Sequence, residues 1–251
     1  MHDTLYWKNR LVKSRQKNGS MTHAWVRSQS WLMPTLSATV DIWQHHASTA
    51  RSTTVVPDGC CDLIWHALPG QCPEWFVTDL ATQSYHVPGT VGESNFGFRL
   101  QPGTCINSSQ LLAALANRPG DDANDILPIL YDYSHLDAAV HEALLALADC
   151  ESVERAARAL GVAERTLQRL VGNATGQSPA YWKRLARMRR ATRSLALAPC
   201  LAPSLADVAA TWGYTDQAHM TREFQRWLGT TPAALRTQLG IQEALRATGY
   251  G

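Results

Sequence analysis

Two short clusters of side chains near the end of the chain have the chemistry to grip flat, hydrogen-bonding edges. Arg165, Thr166, Gln168 and Arg169 form one, and Gln217, Ala218, His219, Thr221 and Arg222 form the other. A guanidinium offers paired donors that match guanine, and a carboxamide matches adenine with one donor and one acceptor. The same groups also hold phosphate oxygens, which sets register without reading sequence. Spacings of three and four put Arg165, Gln168 and Arg169 on one side of a helix, and likewise Gln217, Ala218, Thr221 and Arg222. Ala218 has only a methyl group to offer.

A charged helix face is ordinarily a solvated one, but here the two clusters sit in a repeat. Gly161 to Val171, followed by Gly176-Gln177-Ser178-Pro179, is matched by Gly213 to Phe224, followed by Gly229-Thr230-Thr231-Pro232. Leu167 aligns with Met220, Arg169 with Arg222, Gly176 with Gly229 and Pro179 with Pro232, each 53 residues on. Gly161 and Gly213 are 52 apart, so the second copy has one more residue in its turn. A helix, a glycine turn and an Arg-bearing second helix, present twice, predict two helix-turn-helix units facing one repeating surface such as the DNA major groove.

The elements that must position the clusters are legible from apolar spacing. Val153, Ala156, Ala157 and Leu160 form the first bracing stripe, and Leu205, Val208, Ala209 and Trp212 form the second. Leu167, Leu170 and Val171 give one second helix its buried side; Met220, Phe224 and Leu228 give the other theirs. One long helix from Tyr181 to about Leu197 joins the units, and Pro199 and Pro203 stop it. It carries Lys183, Arg184, Arg187, Arg189, Arg190 and Arg193, of which Arg189 and Arg190 are expected to touch phosphates without regard to sequence.

The charge distribution follows the same division. Residues 1–149 hold nine Lys and Arg against fourteen Asp and Glu, a net of −5, and residues 150–251 hold fourteen against seven, a net of +7. A basic half beside an acidic half suits one domain on a polyphosphate and another kept off it. With 45% hydrophobic and 18% charged residues, the chain is expected to fold rather than remain disordered.

Residues 22–106 read as β-rich. Runs at Leu36–Trp43, Thr53–Pro57, Cys61–His66, Trp75–Thr78 and Phe96–Leu100 alternate with turn residues, the pattern of a sandwich or small barrel. Pro57-Asp58-Gly59 reads as a hairpin turn. Cys61, Leu63 and Trp65 share a strand face expected to point inward, with Asp62 and His66 opposite. Trp25, Trp31, Trp43, Trp65 and Trp75 crowd the region, and Trp43, Cys61 and Trp65 are the candidate lining of an effector cavity. Residues 107–149 read as a helical connector, with helices at Gln110–Ala116, Ile126–Tyr131 and Leu136–Ala148 and a break at 118–122. Its stripe of Leu136, Val140, Ala143, Leu144 and Leu147 is expected to pack on the barrel or on a second subunit. Residues 1–21 read as a basic flexible tail and 241–251 as a second tail.

Other chemistry finds little footing. His45 and His46 are adjacent, so on a strand they diverge, as do Cys60 and Cys61. A metal- or thiol-redox-sensing regulator stays open as an alternative, and a repair protein with a four-cysteine zinc cluster is a remoter one, because the cysteine spacings do not match it. No catalytic residue, metal ligand or cofactor is assigned, and the chain is expected not to be an enzyme. With no apolar leader and no membrane-length run, it is placed in the cytoplasm.

Residues 150–238 resemble the DNA-binding domain of the AraC/XylS family of bacterial transcription regulators. The resemblance rests on Gly161, Arg165, Leu167, Arg169, Gly176, Ser178-Pro179, Tyr181, Arg187, Ala191, Gly213-Tyr214, Arg222, Phe224, Gly229 and Thr231-Pro232. It implies a seven-helix domain at about 150–240, with base contacts from Arg165, Gln168 and Arg169 and from Gln217, Ala218, Thr221 and Arg222. Ala163 departs from the family's hydroxyl cap, Val171 from its Phe, and Ala218-His219-Met220 from its Ser-aromatic-Phe run. The run Pro57-Asp58-Gly59-Cys60-Cys61-Asp62-Leu63-Ile64, with Gly97 to Gly103 later, resembles a cupin-like sensor domain found ahead of some such modules. Together these imply an α+β multidomain protein: a β-barrel or sandwich at 22–106, a connector, and the tandem helix-turn-helix domain. The implied partners are double-stranded DNA, a small-molecule effector, a second copy of the chain and, for an activator, RNA polymerase, with no membrane.

Overall fold

The computed structural model describes residues 38–120, 122–196 and 203–251. The tail at 1–21, the first part of the expected barrel, Trp25, Trp31, Pro199 and Cys200 lie outside them.

A sheet-rich domain precedes a helical one, as expected. Strands β1 (Thr39–His46), β3 (Asp62–Ala67), β4 (Glu74–Val77) and β6 (Ser94–Leu100) make an antiparallel sheet in the order β1-β6-β3-β4. β2 (Ser52–Val55) pairs with β5 (Tyr85–Pro88), and β7 (Cys105–Ile106) with β8 (Ser134–His135). Among the described residues these strands do not close into a single ring. Period-two alternation gives the four-stranded sheet two distinct faces. Leu63, Phe96, Phe98 and Leu100 point to one side, where α1 (Ser108–Leu115) and α2 (Ala123–Asp132) cover them with Leu111, Leu115, Ile126 and Leu130. Asp62 and Arg99 lie opposite each other on the other side, where Arg99 pairs with both Asp62 and Asp58 at 3.2 Å.

Pro57-Asp58-Gly59 does not close a hairpin, because β2 and β3 belong to different sheets. The turn chemistry itself holds, with Gly59 at φ +79°, but the loop is buried and crosses from one sheet to the other against the helical domain. What sets its path is long-range packing rather than strand pairing.

The helical domain begins at α3 (Ala138–Asp149), capped by Asp137. It continues through α4 (Val153–Ala159), α5 (Glu164–Thr175), α6 (Pro179–Ala196), α7 (Leu205–Thr211), α8 (Gln217–Leu228) and α9 (Pro232–Leu235), and α10 (Leu239–Arg246) follows. The stripe of Val140, Ala143, Leu144 and Leu147 packs into the same core as Leu167, Trp182, Leu185, Met188 and Phe224. The stripe thus packs against α4, α5 and α6, and also meets Val56 and Gly103 of the sheet domain.

Candidate nucleic-acid interface

Each unit is a short bracing helix, a glycine turn and a longer presenting helix. In the first, Ser152 caps α4 by accepting from the Arg155 amide, and Gly161 turns the chain at φ +69°. In the second, Ser204 caps α7, and Gly213 turns it at φ +70°. The extra residue read from the sequence sits in this second turn, since the cap of α5 is Ala163 and that of α8 is Asp216. Positive φ costs a glycine nothing, and α5 and α8 end alike on left-handed Gly176 and Gly229.

The two presenting helices differ at their starts. Asp216 accepts from the His219 amide at 2.6 Å, whereas Ala163 makes no side-chain cap bond. Ala163→Ser is expected to stabilise the helical domain by about 0.5–1 kcal/mol, because it restores an acceptor for an orphan amide of the first turn. Urea unfolding of the two proteins side by side checks this, and an unchanged or lower midpoint goes against it.

Leu167 and Val171 of α5, and Met220, Phe224 and Trp227 of α8, are buried. Arg165, Thr166, Gln168, Arg169, Gln217, Ala218 and Arg222 are exposed on the opposite sides, and Thr221 is half-buried. Among the described residues, Arg165, Arg169 and Arg222 form no ion pair. Their guanidinium groups are available to an outside acceptor. Two of the candidates also make local hydrogen bonds. Thr221 donates back to the Gln217 carbonyl at 2.9 Å, and His219 accepts from the Thr215 amide while its ring stands edge-on to Tyr214 at 5.4 Å.

Helix α6 fixes the two units to one another. Its Trp182 donates to Thr175 at the end of α5 (2.9 Å). Its Arg187 donates to Glu223 of α8 (2.9 Å) and to the Gly213 carbonyl (3.1 Å), and lies 4.5 Å over the Tyr214 ring. This brace is not evident from composition. Its available signal is Glu223, the one carboxylate in a helix that also carries Arg222 and Arg226.

Arg189 does not face solvent. It is fully buried and donates to the carbonyls of Pro57 and Ala247 (3.3 and 3.2 Å), so it cannot hold a phosphate. Burial pulls its pKa down to about 10, against the pull of Asp58. Arg190 is tied to the Ala148 carbonyl and Asp149, both at 2.7 Å. Part of the basic excess of residues 150–251 is therefore internal mortar rather than surface charge.

The sheet domain touches the far ends of both presenting helices. The Ser84 amide donates to the Trp227 carbonyl near the end of α8 (2.8 Å), and the Cys105 thiol lies 3.8 Å from the Ala174 carbonyl near the end of α5. The proposed effector residues do not converge in the same way. Trp43 packs on Gly97 and donates to Asp62 at 2.9 Å, whereas Trp65 lies on the other face against Gly120. Burial pushes the Cys61 thiol up to about 11 and raises that of Cys60 as well, so both stay protonated and unreactive at neutral pH. Among the described residues, no three His, Cys, Asp or Glu side chains gather as a metal site. No helix there is long and apolar enough to cross a membrane.

Residues 156–238 match a family model described as a helix-turn-helix domain. No curated protein sequence matches the chain. Among solved structures, the DNA-binding domain of AdpA, a global transcriptional factor in complex with a target DNA, is 31% identical over 40% of this chain and 88% of its own, at a TM-score of 0.34. The C-terminal domain of AraT, a response regulator from Geobacillus stearothermophilus, is 21% identical over 40% and 85%, at 0.36. ToxT from Vibrio cholerae is 9% identical over 78% and 97%, at 0.42.

Proposed function

We infer, from the AraC-type helix-turn-helix domain at residues 156–238, that the chain is a DNA-binding regulator of transcription. Its reading residues are Arg165, Thr166, Gln168 and Arg169 on α5 and Gln217, Ala218, Thr221 and Arg222 on α8. His219 acts by holding the turn before α8. One observation carries the assignment: each helix buries an apolar side and leaves exposed an arginine with no ion-pair partner among the described residues. The helices enter successive turns of the major groove, about 34 Å apart, while the bracing helices lie over the backbone. The protein acts in the cytoplasm as a reader rather than an enzyme.

The sheet domain is the regulatory half. A small-molecule effector, or pairing with a second copy, shifts the contacts at Ser84 and Cys105 and so changes how α5 and α8 are presented. RNA polymerase is the further partner if the outcome is activation.

Selection of bound duplexes from a randomised pool tests the reading function. The expected result is two short motifs whose centres lie about 10 base pairs apart, with affinity falling steeply as salt rises. A pool with no enriched sequence, or with a single motif, overturns it.

A further inference from the structure

The Val56–Cys60 loop of the sheet domain, α6 and α3 meet around one short segment, residues 247–251. The carbonyls of Ala247 and Thr248 accept from Arg189 of α6 (3.2 Å) and Arg99 of β6 (3.1 Å). The Tyr250 amide donates to the Asp58 carbonyl (2.8 Å), and its hydroxyl donates to the Leu144 carbonyl of α3 (2.7 Å). The Tyr250 ring stands edge-on to Trp182 of α6, 4.9 Å between centres. One five-residue stretch thus bonds to elements of both domains.

The fit is close enough to dictate residue type. A Cβ on Gly249 would lie 2.7 Å from Arg189 Nη2 and 2.8 Å from the Asp58 carbonyl oxygen. A Cβ on Gly59, across the cleft, would lie 2.8 Å from both Trp182 and Tyr250. Only glycine lets two backbones approach this closely. Tyr250 is itself almost fully buried, as is Arg189, so the cleft is a built site and not a chance surface contact.

We propose that residues 247–251 are an intramolecular clamp, docked between the Val56–Cys60 loop and α6, that makes the sheet domain and the reader domain move as one body. With the segment docked, displacement of the Val56–Cys60 loop is transmitted directly to α6, which carries both presenting helices. With it released, the loop loses the backbone bond at Asp58 and the carbonyl of Ala247 no longer helps to satisfy Arg189.

Cys60 provides a reporter, because it sits in the clamped loop and is buried, whereas Cys72 is exposed. The experiment uses the full chain carrying Gly249→Val or Tyr250→Ala, labelled with N-ethylmaleimide and mapped by peptide mass, with Cys72 as the internal standard. Cys60 labelling is expected to accelerate at least tenfold. Hydrogen exchange at the Ser84 amide, which bonds to the Trp227 carbonyl of α8 rather than to the clamp itself, is expected to accelerate with it, while the amides of Leu167 and Phe224 stay protected. Tyr250→Phe keeps the ring and removes one hydrogen bond, so it serves if the harsher variants do not fold; about a fivefold rise in Cys60 labelling is expected from it. Unchanged Cys60 labelling in the folded variants overturns the clamp. So does faster Cys60 labelling with Ser84 still protected, since that is local fraying and not release of a domain. Neither readout involves DNA.

Discussion

Replacing Arg165 and Arg222 together with alanine is expected to weaken binding to the selected duplex by about 2–6 kcal/mol, from about 1–3 kcal/mol for each lost base contact. The two residues sit on different helices of different units, so their effects should be nearly additive. Neither side chain supports the fold: both are exposed, and neither takes part in an ion pair among the described residues. The double variant should therefore melt like the parent and retain salt-dependent, non-specific affinity, while losing its preference for the selected sequence. Each single variant should relax the sequence requirement in its own half-site only. Fluorescence anisotropy at fixed salt, with cognate and scrambled duplexes, measures all of this. A double variant whose cognate affinity stays within twofold of the parent removes α5 and α8 as the readers.

The helical domain was legible because its signals are local. Apolar residues at three- and four-residue spacing, Ser152, Ser204 and Asp216 as caps, and glycines at 161, 176, 213 and 229 that all adopt positive φ each act within one turn of chain. Repetition then turned weak signals into a strong one. The sheet domain was less legible where its pairing is long-range. β5 is four residues long and exposed throughout, whereas β3 and β6 are longer and carry buried apolar residues that mark them. Pro57-Asp58-Gly59 has the right chemistry for a hairpin, but its partner is α6, more than a hundred residues on. Trp43 and Trp65 share a residue type, yet pairing with Gly97 and Phe96, neighbours on β6, sends them to opposite faces. The exposed sides of α5 and α8 follow from period and charge alone, whereas the Arg187–Glu223 brace and the contacts at Ser84 and Cys105 depend on how distant segments fold together.

Arg189 and Arg190 are neighbours in one basic helix, and their substitution should separate structural from surface charge. Arg189→Ala is expected to destabilise the protein by about 3–5 kcal/mol. It removes two charge-assisted hydrogen bonds, to Pro57 and Ala247, and leaves the buried Asp58 with less opposing charge. Arg190→Ala removes bonds to the Ala148 carbonyl and to an Asp149 that is 75% exposed, where water and salt already screen the pair, so about 1 kcal/mol or less is expected. Chemical unfolding of the two variants distinguishes them directly. Arg189→Lys should recover only part of the loss, because a single ammonium cannot span the two carbonyls as a fork does. At temperatures where Arg189→Ala is still folded, its DNA affinity should fall with salt along the parent's slope, since a side chain enclosed between two domains neutralises no phosphate. A flatter slope with unchanged stability would return Arg189 to the surface and dismantle the domain junction drawn around it.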